Sequence, residues 1–310
     1  MPQAVCARRL VSVIVLFLAW LAGWPAVVGA EEPVPVVVTI PVLRDFVQRI
    51  GGTRVQAVSL LSGLESEHTY SPKPSDLLAV RKAQVLFEVG IGLEVWTASL
   101  VKAAGNPKLR VVTTSKGIAL IRDHDGPVGE APSGEDHHHG GNPHVWLDPE
   151  NAKTMLRHIT ETLIAVDPLH AAEYRLNQAA YLKELDDVQA ELLTVLKPLN
   201  DRRVIVHHPA WPYFARRFGL VIAGEILSQA GAEPSARRLK KLVETMRTQR
   251  VRVIVSEPQL NPQIPEALAR ETGAQVVVLT PLPGGLPGTD TYLDLLRYNV
   301  RALARALQAA

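Results

Sequence analysis

The sequence predicts an α/β protein of two lobes, each a mostly parallel sheet flanked by helices, joined by one long rigid helix. Two observations predict it. Short β-branched runs alternate with helix-length segments on both sides of residues 168–196, which is how parallel strands joined by crossover helices read in a sequence. Residues 168–196 themselves carry an apolar stripe at Leu182, Leu185, Val188, Leu192 and Leu196, in a helix far longer than the usual dozen or so residues.

The first thirty residues stand outside this pattern. Arg8 and Arg9 precede an apolar run over 10–22, and Val28-Gly29-Ala30 gives a small-x-small ending. These features mark a secretory signal with cleavage expected after Ala30, so the mature chain is expected outside the cytoplasm. Residues 10–30 could also span a bilayer as an uncleaved anchor. Pro25 and Gly29, followed at once by Glu31 and Glu32, favour cleavage.

In the first lobe, residues 31–166, strands are expected at 34–40, 55–61, 85–89 and 109–113. Helices are expected at 46–50, before Gly51-Gly52, and at 74–82, opened by Pro74-Ser75-Asp76. Residues 123–142 are rich in glycine, proline and acids and include Asp136-His137-His138-His139; they predict a mobile surface loop. Asp148-Pro149 opens one helix with a capping aspartate and a first-turn proline, and Asp167-Pro168 opens the linking helix of 167–198. The second lobe, 199–310, repeats the alternation. Its strands are expected at 203–206, 220–225, 251–255 and 276–279, and its helices at 213–218, 235–249, 265–272 and 291–309.

Composition narrows the chemistry. The only cysteine, Cys6, lies in the signal, so the mature chain has no disulfide and no thiolate ligand. The chain has 33 Lys and Arg, two of them Arg8 and Arg9, which leaves 31 basic residues against 31 acidic ones after residue 30. That neutrality argues against a nucleic-acid surface.

Three histidines sit beside turns or at strand ends: His68 in Glu67-His68-Thr69-Tyr70-Ser71-Pro72, His144 in Asn142-Pro143-His144-Val145-Trp146, and His208 in His207-His208-Pro209-Ala210-Trp211. Ligands of parallel sheets bind at the carboxyl ends of strands. Neutral imidazole is the commonest ligand for zinc and its neighbours. Each histidine alone reads most simply as a solvated or capping side chain, but together they predict one metal site between the lobes, with His68 and His144 on the first and His208 on the second. His207 should point to the opposite face of its strand from His208. His158 and His170 lie on helices and His124 in the loop, and none of them is expected in this site. Glu257, at the end of the strand over 251–255, is the expected fourth donor. Water, Glu67 or Asp290 are the alternatives, and Glu257 could instead orient a ligand histidine from behind.

The chain resembles the periplasmic zinc- or manganese-binding proteins of ABC importers, the ZnuA/TroA-like group. The resemblance covers residues 34–309. It rests on His68-Thr69-Tyr70-Ser71-Pro72-Lys73-Pro74-Ser75-Asp76, Gly90-Ile91-Gly92-Leu93-Glu94-Val95-Trp96, Asn142-Pro143-His144-Val145-Trp146-Leu147-Asp148-Pro149, His208-Pro209-Ala210-Trp211-Pro212-Tyr213-Phe214-Ala215, and Ser256-Glu257-Pro258-Gln259. It implies His68, His144 and His208 as ligands, and Zn²⁺ as the transported ligand because the third position is histidine. It also implies an ABC permease and its ATPase at the inner membrane as partners. The family's usual fourth ligand is an aspartate near the last strand, where this chain has Thr280. A non-enzymatic, monomeric carrier is therefore expected. The alternatives are a manganese- or iron-binding member of the same family, a three-histidine zinc hydrolase, or a surface adhesin or metal store.

Overall fold

The computed structural model describes residues 32–122, 140–228 and 231–309. The predicted signal, its cleavage point and most of the His-rich segment lie outside the described residues. No helix among those described is long and apolar enough to cross a membrane.

The first sheet contains β1 (Val34–Val38), β2 (Val55–Ser59), β3 (Val85–Glu88) and β4 (Arg110–Thr113), in the order β2-β1-β3-β4 with every pairing parallel. The second contains β5 (Arg203–Val206), β6 (Val221–Glu225), β7 (Val253–Ser256) and β8 (Gln275–Val278), in the order β6-β5-β7-β8, again parallel. Both follow the same winding: the chain runs one way from the first strand and then crosses back to its other side. The crevice where the direction switches, beyond the carboxyl ends of the strands, is where an open α/β sheet binds its ligand. In the second sheet that crevice lies between β5, which His207-His208 follows, and β7, which Glu257 follows.

Helix α1 (Pro41–Gly51) starts five residues before the expected 46–50, because Pro41 already occupies its first turn. Helix α2 (Pro74–Lys82) lies where predicted, whereas α3 (Thr97–Ala104) has no counterpart among the predicted elements. Asp148 caps α4 (Pro149–Val166) by accepting from the Glu150 amide. A three-residue turn, Pro168–His170, precedes the long helix α5 (Ala171–Leu196). The second lobe adds α6 (Pro212–Phe218), α7 (Ala236–Gln249), α8 (Gln263–Thr272) and α9 (Tyr292–Ala309).

Helix α5 packs on α1, α4 and α9, so it lies against elements from both halves of the chain. Its buried stripe is Tyr174, Tyr181, Leu185, Val188, Leu192 and Leu196. Tyr181 takes the inward place predicted for Leu182, which is half-buried. Its hydroxyl donates to Asp45 Oδ2 at 3.0 Å, and the same oxygen accepts from the Tyr292 amide at 3.0 Å. Asp45 thereby ties α1, α5 and the start of α9 together.

One core runs through both sheets and the helices between them. Strand alternation divides the second sheet: Val204, Val206, Val253 and Val255 face this main core, while Ile205 and Ile254 face a smaller cluster with Leu242, Met246 and Leu268.

Candidate metal centre

Four side chains from three segments converge on one point. Glu67 and His68 sit in the loop between β2 and α2, His144 immediately precedes the turn Val145–Leu147, and His208 follows β5. One ligand atom from each lies within 4.8 Å of all the others. His144 is central: its Nε2 is 3.0 Å from His68 Nε2, 3.3 Å from His208 Nε2 and 3.4 Å from Glu67 Oε1. Donors about 2.0–2.1 Å from a tetrahedral zinc are separated by roughly 3.3–3.4 Å; the spacings to His208 and Glu67 equal such an edge, and the one to His68 is a few tenths of an ångström shorter. Glu67 Oε1 is buried and accepts no hydrogen bond. An acceptor left this way inside a protein costs free energy unless something pairs with it. The donor set is three imidazole nitrogens and one carboxylate oxygen, a combination that suits zinc.

Local structure holds each donor in place. The Trp96 indole donates to the Glu67 carbonyl at 3.2 Å. Trp96 is placed by the glycine-rich turn after β3, in which buried Glu94 accepts from Thr39 Oγ1 at 2.6 Å and from the amides of Val89 and Gly90 at 2.8 and 3.0 Å. Burial pushes the Glu94 carboxyl up to about 7 against those three donors. Beyond the histidine, Tyr70 donates to Leu60 O at 3.1 Å and to Asp76 Oδ2 at 2.7 Å, which closes the loop onto the start of α2.

His208 Nδ1 donates to Glu257 Oε1 at 2.8 Å, and the Trp211 indole donates to the same oxygen at 3.0 Å. Glu257, the fourth donor expected from the sequence, thus sits behind His208 and outside the four-residue cluster, while Glu67 takes the place beside the three histidines. Asp290 is exposed and Thr280 is turned into its own bend, with Oγ1 donating to Leu282 O at 2.8 Å; neither joins the cluster. His207 is buried on the other side of the strand end, 3.4 Å from Ser256 Oγ, and burial pushes its imidazole below the ordinary value. The two neighbours lie in the bend just past β5, where His207 faces Ser256 and His208 faces Glu257 and the cluster.

Among the described residues neither Glu67 nor Glu257 pairs with a lysine or arginine. Burial opposes a charge on His208, but the Glu257 carboxylate and its hydrogen bond, with Glu67 and Glu225 further off, raise its pKa above the ordinary value. The sign follows. In the metal-free protein this pair adds stability below the ordinary histidine pKa of about 6.5 and loses it as pH rises through the raised value. Metal binding runs the other way, because the added proton takes Nε2. Calorimetric zinc titration is expected to show affinity falling as pH is lowered through neutrality, with the decline under way before pH reaches the ordinary histidine value of about 6.5. A flat profile over that range contradicts the assignment of His208 as a ligand.

The segment that carries His144 is fastened to the second half of the chain. The Trp146 indole donates to Pro281 O at 2.8 Å, Tyr292 Oη to Trp146 O at 2.6 Å, and Arg217 Nε to Asp148 Oδ1 at 2.6 Å. The two ends that flank the His-rich segment meet, with the Asn142 amide donating to Ile121 O at 2.8 Å. The bonds made by Asn142 were not anticipated. An asparagine two residues before a candidate ligand was the available signal.

The family model described as zinc-uptake complex component A, periplasmic, matches residues 36–306. The chain belongs to this family. It is 32% identical over 331 residues to the high-affinity zinc uptake system protein ZnuA of Brucella abortus, covering 94% of this chain and 98% of that one. A crystal structure of ZnuA superimposes with a TM-score of 0.78 at 32% identity, covering 89% of this chain and 100% of that one. A zinc-bound deletion mutant of ZnuA gives 0.77 at 32% identity, covering 89% and 98%. Members of the ZnuA family are the periplasmic component of a zinc-uptake complex, which is a transport role.

Proposed function

We propose that this chain is an extracytoplasmic solute-binding protein that captures Zn²⁺ between its two lobes and delivers it to an ABC permease driven by an ATPase. His68, His144, His208 and Glu67 are the ligands, and Glu257 orients His208. The observation that carries this reading is the set of three imidazole nitrogens and one carboxylate oxygen within 4.8 Å of one another, with His144 Nε2 3.0–3.4 Å from the other three and with Glu67 Oε1 accepting no hydrogen bond. The protein works as a monomer, cleaved after Ala30, with residues 31–166 and 199–310 as the lobes and 167–198 as the link. It catalyses no reaction. A zinc hydrolase keeps one coordination position open for water and a free general base nearby. Here Glu67 supplies a fourth protein donor, and Glu257 is engaged by His208 and Trp211.

The test is competition. Nitrogen-rich donor sets favour zinc over manganese, and intrinsic affinity follows the same order. The mature protein loaded with zinc is expected to keep it against an equal concentration of manganese. Preferential manganese retention overturns the choice of metal, and failure to bind either overturns the site.

A further inference from the structure

We propose that Asn142 is a positioning residue that sets the tautomer of His144 and clasps it to the turn carrying His208. The inference deepens the metal-site reading and rests on it. Asn142 is buried and uses every polar group it has. Its Nδ2 donates to the carbonyl of Pro209, the residue after His208, at 2.5 Å. Its Oδ1 accepts from both the His144 amide and His144 Nδ1, each at 3.0 Å. Its own carbonyl accepts from Tyr213 Oη at 2.9 Å, and its amide donates to Ile121 O at 2.8 Å.

The order of cause runs from the backbone to the ligand. A backbone carbonyl can only accept, so Pro209 O requires the amide nitrogen of Asn142 on its side. That turns Oδ1 toward His144, and an amide oxygen can only accept. His144 must then carry its proton on Nδ1, which leaves the Nε2 lone pair aimed at His68, His208 and Glu67. His208 reaches the same state through a carboxylate, Glu257. The two histidines are thus preset by partners of different charge. The amide fixes tautomer and direction without adding a second negative charge behind the site. Because one amide holds both His144 and Pro209, the spacing of the His144 and His208 donors is set before metal arrives.

The experiment reads the tautomer in metal-free protein by imidazole ¹⁵N NMR and, separately, titrates each protein with Zn²⁺. Wild type is expected to show His144 protonated on Nδ1. Asn142→Ala is expected to give a mixture with the Nε2–H form at His144 alone, leaving His208 as it was, and to lower zinc affinity about ten- to a hundredfold. Asn142→Asp keeps an acceptor for His144 but sets a carboxylate oxygen against Pro209 O. It is expected to keep the Nδ1–H tautomer with a smaller loss of affinity, and it serves as the decisive variant if Asn142→Ala does not fold. An unchanged His144 tautomer in folded Asn142→Ala, or its loss in Asn142→Asp, overturns the proposal. Wild-type protein that shows the Nδ1–H tautomer yet binds no zinc overturns the metal-site reading instead.

Discussion

Replacing His144 with alanine is expected to lower zinc affinity by about a hundredfold or more, with His68→Ala and His208→Ala close behind and His207→Ala near wild type. His144 Nε2 is the donor that stands within 3.4 Å of the other three. Tightly held zinc is worth about 10–16 kcal/mol over four ligands, so one donor carries roughly 3 kcal/mol, and each 1.4 kcal/mol or so is a factor of ten. His144 is almost fully buried, so water can take its place only through a rearranged pocket beside Trp146. Isothermal titration with zinc, set beside thermal unfolding of the metal-free variants, separates loss of a ligand from loss of fold. His207→Ala is the internal control: same bend, same residue type, but turned to Ser256 and outside the cluster. Equal damage from His207→Ala and His208→Ala would defeat the alternation argument.

The features that periodicity and turn chemistry report were legible in the sequence. Each of the eight strands lies within about two residues of its expected span, because parallel strands covered on both faces read as continuous β-branched runs. Asp148-Pro149 and Asp167-Pro168 were legible because caps are local. Helix α3 was not, because Thr97–Ala104 is short and follows a glycine-rich turn whose shape is set by Glu94, Thr39 and two backbone amides. At the site, the histidines stood out because imidazoles beside strand ends have few other uses in such numbers. The roles of the two glutamates were hidden. Glu67 is next to a candidate ligand in sequence and Glu257 sits at a strand end in the crevice, so strand-end logic ranks Glu257 first. What sets them apart in the structure is that His208 turns its Nδ1 to Glu257 and its Nε2 to the cluster, a distinction between two edges of one ring that no spacing encodes.

Glu67→Gln is expected to weaken zinc binding by about a hundredfold, and Glu257→Gln by only about tenfold. Glu67 presents a buried carboxylate oxygen with no hydrogen bond to lose. Its amide replacement removes a negative charge and offers zinc a neutral oxygen, so the loss approaches a full ligand's share of roughly 3 kcal/mol. Glu257 differs because both of its donors, His208 Nδ1 and Trp211 Nε1, use the same atom, Oε1. A glutamine can place its carbonyl oxygen there and keep both bonds. The new amide group then lies where Oε2 has no partner, which costs about 1–3 kcal/mol of stability with or without metal. The remaining effect on affinity is the loss of the carboxylate's influence on His208, in the tenfold range found for groups that orient a metal-bound histidine. The same change removes the main cause of the raised His208 pKa, so zinc binding by Glu257→Gln should persist to lower pH than in wild type, while the Glu67→Gln profile keeps its wild-type midpoint more nearly. Calorimetry of the two variants across pH tests both statements at once. If Glu257→Gln proves the more damaging at neutral pH, the two carboxylates exchange roles, and Glu257 becomes the fourth ligand.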